Sequence, residues 1–218
     1  MAEAQAGRRQ EVAALTVGRI VVTPLIAILP FANSWTLRLV AFVLFTLAAI
    51  TDYIDGHLAR SRKEETDLGR LLDPLADKLL LVGTFVPMYL LASDFPFETP
   101  IGNIGLPWWI VVIVLGRELF MTIFRQAAAR RGVVIAAIGP AKWKTGFQLV
   151  WQGSAYFWFW AATLAAVKGW NSGAWRDFAL FNGTVGTLTM TVAVFLTVYS
   201  LAVYLRSFRS VFETSPSK

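Results

Sequence analysis

The stretch "DYIDGHLARSRKEETDLGRLLDPLADK", Asp52 to Lys78, decides how this chain is read. It lies between two apolar runs, "LRLVAFVLFTLAAIT" (37–51) and "LLLVGTFVPMYLLA" (79–92). Four aspartates, Asp52, Asp55, Asp73 and Asp77, stand where the chain leaves one apolar helix and enters the next. Asp52 and Asp55 are three residues apart and share a helical face, with Gly56 and Ala59 on the same side. Asp73 and Asp77 are four apart and share a face of the following helix. If the two helices form a hairpin, both faces look into one cavity near the cytoplasmic surface, with Arg60 at its rim.

A carboxylate inside a membrane costs about 2.5–3.5 kcal/mol even on a lenient insertion scale. Four together also repel one another, and nothing in the segment supplies enough positive charge to neutralise them. Divalent cations do so. Hard oxygen ligands suit Mg²⁺, Mn²⁺ or Ca²⁺. Two such ions about 3.5–4 Å apart form the clamp used in phosphoryl chemistry. Gly56 and Ala59 let a bulky group approach the helix backbone closely. The plain alternative, solvated acids paired with nearby Arg and Lys, suits Glu64, Glu65 and Asp67 better than the four aspartates.

The rest of the chain puts this cluster in a bilayer. Of 218 residues 56% are hydrophobic and 16% charged, and the mean hydropathy is +0.56, too apolar for an ordinary soluble domain. Six apolar runs approach the roughly 20 residues that a spanning helix needs: about 12–31, 35–59, 72–92, 107–127, 146–167 and 180–205. The expected fold is an all-α integral membrane protein of six transmembrane helices. A segment 1–11 precedes a single catalytic domain, 12–207, and a tail, 208–218, follows. The basic residues ahead of the first run resemble a signal peptide, but no convincing cleavage site follows, so the run reads as a retained helix. Cysteine is absent, which excludes disulfides and thiolate sites, and the single histidine, His57, excludes a histidine-rich zinc site.

The net charge of +6 reflects topology rather than nucleic acid. Arg8 and Arg9, then Arg60, Arg62, Lys63, Arg70 and Lys78, then Arg130, Arg131, Lys142 and Lys144, and finally Arg206, Arg209 and Lys218 mark one side. The opposite connections hold only Lys168 and Arg176. By the positive-inside rule both termini and both basic connections face the cytoplasm, and the chain belongs in the cell (inner) membrane. The aromatic run "WQGSAYFWFW" (151–160) reads as lipid-facing or interfacial.

A second cluster has its own logic. Arg117, Arg125, Lys142 and Lys144 can hold a dianionic phosphate by charge-assisted bonds, and Glu118 can orient a basic neighbour. Arg130 and Arg131 read as topological charges.

The pattern Asp52-x-x-Asp55-Gly56-x-x-Ala59-Arg60, eight residues, Gly69, three residues, Asp73, three residues, Asp77 resembles the complete signature of the CDP-alcohol phosphatidyltransferase family. The resemblance implies six transmembrane helices and transfer of a phosphatidyl or related group from a CDP-linked donor, with release of CMP. It implies two Mg²⁺ or Mn²⁺ ions among Asp52, Asp55, Asp73 and Asp77, with Asp77 also the general base. Gly56 and Ala59 then make room for the nucleotide, Arg60 meets its phosphates, Gly69 permits close approach of the connecting loop, and Thr66 lies near the donor.

"LTVGRIVVTP", through Leu15, Thr16, Arg19 and Pro24, is similar to the phosphatidylglycerophosphate synthase branch of that family. So is the pattern of Arg117-Glu118, Arg125, Gly132, Lys142, Lys144, Thr145 and Gln148. Two positions depart from the branch: Ala13 replaces an Asn and Ala141 a Gly. The implied donor is CDP-diacylglycerol, held also by Thr16 and Arg19. The implied acceptor is sn-glycerol 3-phosphate, held by Arg117, Arg125, Lys142 and Lys144. Membrane lipids and a second copy of the chain are the other implied partners. Inositol phosphate, serine and phosphatidylglycerol are the alternative acceptors. A cation transporter is a more distant reading, which leaves Gly56, Ala59, Arg60 and Gly69 unexplained.

Overall fold

The computed structural model describes residues 17–62, 67–133, 135 and 139–207, with the backbone alone given at 52–62, 67–74 and 140–142. The elements are α1 (17–28), continued by a 3₁₀ turn at Leu29–Phe31, then α2 (Trp35–Arg62) and α3 (Asp67–Leu90). A hairpin of β1 (Phe97–Thr99) and β2 (Gly102–Ile104) follows, then α4 (Trp108–Arg130), α5 (Gly139–Lys168) and α6 (Gly173–Ser207). The chain is thus predominantly helical. Several helices run past their apolar stretches, because backbone hydrogen bonding continues through charged residues that a hydropathy reading excludes. The hairpin was not foreseen.

The described residues form two compact units. One comprises the chain up to Phe95 together with Gln152–Phe178; the other comprises Pro96–Trp151 and the chain from Ala179 onward. Helix α5 contributes its first part to the second unit and its remainder to the first.

In the first unit, α1 and α3 run in the same direction. Arg19 meets Asp77, and a few residues further along both helices Thr23 lies against Gly83. The approach is so close that a Cβ on Gly83 would lie 2.7 Å from Thr23 Cγ2. Helix α5 runs antiparallel to α2, since Phe45 stacks on Tyr156 while Arg38, earlier in α2, reaches Thr163, later in α5. The Tyr156 hydroxyl donates to the carbonyls of Ile26 and Gly83 at 3.2 and 3.4 Å, tying α5 to both α1 and α3. Gln152 Nε2 donates to Thr84 Oγ1 at 2.7 Å. Arg38 is buried; its Nε donates to the Pro30 carbonyl at 2.9 Å, and its guanidinium lies 4.5 Å from the Phe95 ring centroid.

These contacts revise the reading of 151–160. Trp151, Tyr156, Trp158 and Phe159 are buried rather than lipid-facing. From Leu149 to Val167 helix α5 is apolar on nearly all sides, and such a helix packs inside a bundle.

In the second unit, α4 and α6 run in the same direction, as Arg117 bonds Ser200 and Arg125, two turns on, bonds Tyr204. The hairpin is antiparallel, with Phe97 opposite Ile104 and Glu98 opposite Asn103. It rests on two glycines of α6. A Cβ on Gly183 would lie 1.9 Å from the Glu98 carbonyl oxygen, and one on Gly186 2.5 Å from the Phe97 ring. Glycine is required at both positions because backbone and ring occupy the space of a side chain.

Helix α6 is inverted relative to a helix of a soluble protein. Phe181, Leu188 and Phe195, seven residues apart, are each more than 60% exposed. Its buried positions are mostly small or polar, namely Ala179, Asn182, Gly183, Gly186, Ala193, Thr197 and Ser200, with Met190 and Tyr204 the larger ones. Large apolar residues outside and small or polar ones inside are the pattern of a helix solvated by lipid. Among the described residues α6 is the helix long and apolar enough to cross a bilayer, with shorter apolar stretches at Val17–Phe31 and Trp35–Thr51.

Candidate active site

Helix α2 continues through Asp52, Asp55, Gly56, Ala59 and Arg60, and α3 includes Gly69, Asp73 and Asp77. The i,i+3 and i,i+4 spacings of the aspartates therefore fall on helical backbone, where each pair shares a face. The side chains of Asp52, Asp55, Ala59, Arg60 and Asp73 lie outside the described residues, as does any further detail at Gly56 and Gly69. Thr16 and Thr66 lie outside them entirely.

Asp77 is the aspartate of the four whose side chain is described. Its carboxylate is 59% exposed and accepts from Arg19 Nη1 at 3.2 Å. Arg19 itself is buried, and its carbonyl accepts from the Thr23 hydroxyl at 2.7 Å. Two residues drawn from separate parts of the predicted site, one in α1 and one in α3, are thus joined. An accessible carboxylate oxygen is a hard donor of the kind that Mg²⁺ and Mn²⁺ prefer, and Asp77 fits a ligand or proton-acceptor role chemically.

The second cluster lies wholly within the second unit. Glu118 of α4 is its centre. Its Oε1 accepts from Arg117 Nη1 at 2.8 Å and also pairs with Lys144 Nζ of α5. The side chains of Arg117 and Lys144 are 6% and 5% exposed, so both cations are held out of water against a single carboxylate. Burying them unpaired would be strongly unfavourable. Arg117 Nη2 donates to Ser200 Oγ at 3.2 Å, and that hydroxyl donates in turn to the Thr197 carbonyl at 3.1 Å. Arg125 is exposed; its Nη2 donates to the Tyr204 hydroxyl at 3.3 Å and its guanidinium lies 5.7 Å from the Tyr204 ring centroid. Tyr204 is fully buried, packed in the apolar cluster of Met121, Phe124, Ala128 and Ile135.

The structure therefore brings together Arg117, Arg125 and Lys144, and it gives Glu118 the orienting place expected of it. Lys142 lies in the first turn of α5, its side chain outside the described residues. Ser200 and Tyr204 were missed by the sequence reading, being isolated polar groups on a long apolar helix without a motif. Three cations against one carboxylate leave a local excess of two positive charges, and exposed Arg125 presents part of it to solvent. Chemically the arrangement suits a small dianion.

A helical, membrane-associated protein with an acidic helix pair and a separate cationic cluster is the class so defined. The chain matches the CDP-alcohol phosphatidyltransferase family over residues 13–199, and it belongs to that family. It is 31% identical over 200 residues to CDP-diacylglycerol–glycerol-3-phosphate 3-phosphatidyltransferase 1, chloroplastic/mitochondrial, of Arabidopsis thaliana, covering 88% of this chain and 60% of the relative. It is 30% identical over 198 residues to the CDP-diacylglycerol–glycerol-3-phosphate 3-phosphatidyltransferase of Rickettsia typhi, covering 91% and 96%. It is also 30% identical over 200 residues to a cardiolipin synthase (CMP-forming) of Oryza sativa subsp. japonica, covering 88% and 55%. The chain thus spans about three fifths of the length of the two plant relatives.

Proposed function

We propose that this protein transfers the phosphatidyl group of CDP-diacylglycerol to sn-glycerol 3-phosphate, giving phosphatidylglycerophosphate and CMP in phospholipid biosynthesis. The observation that carries the choice of acceptor is the Arg117–Glu118–Lys144 cluster with Arg125, whose excess charge matches a phosphate dianion near neutral pH.

Asp77 takes the proton from the acceptor's 1-hydroxyl as that oxygen attacks the β-phosphorus of the donor. The bond from that phosphorus to the bridging oxygen breaks, and CMP leaves. Direct transfer is preferred, as the sequence places no Ser, Cys or His as an obvious covalent nucleophile. Asp52, Asp55, Asp73 and Asp77 would hold two divalent ions, Mg²⁺ or Mn²⁺. When bound, these stabilise charge on the diphosphate and on the departing CMP. Arg19, which pairs with Asp77 in the structure, would turn to the donor's phosphates and leave the carboxylate free for the hydroxyl proton. Thr16, Gly56, Ala59, Arg60, Thr66 and Gly69 complete the donor site. Arg117, Arg125, Lys142 and Lys144 complete the acceptor site.

The same reading places residues 12–207 in one catalytic domain of six spans in the cell (inner) membrane. Both termini and the active site face the cytoplasm, and the chain works as a homodimer. The shared direction of α1 with α3, and of α4 with α6, supports an alternating topology. The similarity to a cardiolipin synthase (CMP-forming) makes phosphatidylglycerol the second acceptor to test.

The test is CMP release by purified protein with CDP-diacylglycerol and each of glycerol 3-phosphate, inositol phosphate, serine and phosphatidylglycerol. Turnover confined to glycerol 3-phosphate is expected; preference for another acceptor overturns the assignment. Chelation should abolish turnover and Mg²⁺ or Mn²⁺ restore it, and full activity in excess EDTA would refute the metal site.

A further inference from the structure

Gln148 has no role in the site described so far. It lies four residues after Lys144 on α5, hence on the same face and about 6 Å further along the helix axis. The residue is only 6% exposed, yet its Oε1 is buried with no hydrogen-bond partner. A buried acceptor without a donor is costly, and such groups in native proteins call for an explanation. Arg117 supplies the complementary orphan. Two of its nitrogens are engaged, by Glu118 and Ser200, while its buried Nε–H has no partner. An unfilled acceptor thus lies one turn along α5 from Lys144, and an unfilled donor belongs to Arg117, which shares the Glu118 carboxylate with that lysine.

We infer that Gln148 is a specificity residue for the acceptor, its Oε1 accepting a hydrogen bond from the central hydroxyl of glycerol 3-phosphate; this rests on the acceptor reading above. Three features of the ligand fit. Its phosphate goes to the cations, including the free Nε–H of Arg117. Its reacting hydroxyl must lie at the far end of the molecule, at the donor. The central hydroxyl lies between the two, and one helical turn from Lys144 is the order of separation between a phosphate and the middle hydroxyl of a three-carbon phospho-alcohol. A buried amide oxygen that only the correct substrate satisfies discriminates strongly against an analogue lacking the hydroxyl.

The experiment compares glycerol 3-phosphate with 3-hydroxypropyl phosphate, which keeps the phosphate and the reacting hydroxyl but lacks the central one. The wild-type protein should favour glycerol 3-phosphate in kcat/KM. Gln148→Leu should lower kcat/KM for glycerol 3-phosphate by about 5- to 100-fold while leaving the deoxy analogue nearly unchanged. Gln148→Met, unbranched and close in volume, serves if the Leu variant does not fold, and Gln148→Glu, which keeps the acceptor oxygen, should retain the selectivity. An equal fall for both substrates would mean that Gln148 is structural or binds a buried water, and an unchanged ratio would likewise overturn the assignment. A wild-type protein that ignores glycerol 3-phosphate but uses another acceptor would sink the underlying reading, a result distinct from either.

Discussion

Glu118→Gln is the most informative single change in the cationic cluster. The substitution keeps shape and removes one negative charge. What remains is Arg117 and Lys144, with side chains 6% and 5% exposed, held near each other without the carboxylate that joins them. Breaking a buried pair from one side costs about 3–5 kcal/mol. Glu118 is 28% exposed, so solvent screens part of the interaction, and about 3 kcal/mol is the better figure. In a chain of this size each kcal/mol moves the unfolding midpoint by about 2–4 °C, which gives a fall of about 6–12 °C. Tryptophan fluorescence during heating in detergent reads it directly. Lys144→Met on its own removes one cation; combined with Glu118→Gln it should recover part of the loss, with a coupling of about 0.5–3 kcal/mol. A midpoint within about 2 °C of wild type for Glu118→Gln, or strictly additive single effects, would show that Glu118 does not hold the cluster together.

Three further outcomes are expected. Asp77→Asn should lower turnover by about 10²–10⁴-fold as the general base is lost. Its stability should fall by about 1–3 kcal/mol, because buried Arg19 loses its charged partner while solvent at the exposed carboxylate screens part of the pair; activity within threefold of wild type would remove Asp77 from the base role. Arg125→Ala should raise the KM for glycerol 3-phosphate by about 10- to 150-fold with little change for CDP-diacylglycerol, and steady-state kinetics with each substrate varied in turn would show the reverse if the cluster serves the donor. Gly183→Ala should destabilise by about 1–3 kcal/mol, because the new methyl meets the Glu98 carbonyl rather than a yielding side chain; an unshifted melting curve would mean that the hairpin is not seated there.

The helices were legible because apolar runs of bilayer length leave few alternatives, although the runs understate them. Helix α5 begins at Gly139, not near 146, since Pro140 and the following polar residues are compatible with a first helical turn. The aspartates were legible as a spacing, and the backbone of α2 and α3 carries that spacing as helix. The hairpin was not. Its strands are three residues each, include Glu98 and Asn103, and owe their position to glycines of α6 far away in sequence. Ser200 and Tyr204 escaped notice for the same reason: their partners Arg117 and Arg125 lie 83 and 79 residues earlier. Gln148 was visible as a pattern position, but only its burial and its unpaired oxygen raise the question of a role. The aromatic run 151–160 misled because composition cannot tell an aromatic face turned to lipid from one turned to neighbouring helices.

The dependence of the second unit on α6 has a consequence for biogenesis. Translation delivers α4 and α5 before the helix that bears Ser200, Tyr204 and the two seating glycines. Until α6 emerges and inserts, the hairpin lacks its seat, and Arg117 and Arg125 lack the hydroxyls that they meet in the finished fold. Contacts this distant in sequence close late. The cationic cluster is therefore completed near the end of synthesis, and a ribosome stalled before α6 would display a nascent chain with its acidic helices made and that cluster still lacking two of its hydroxyl partners.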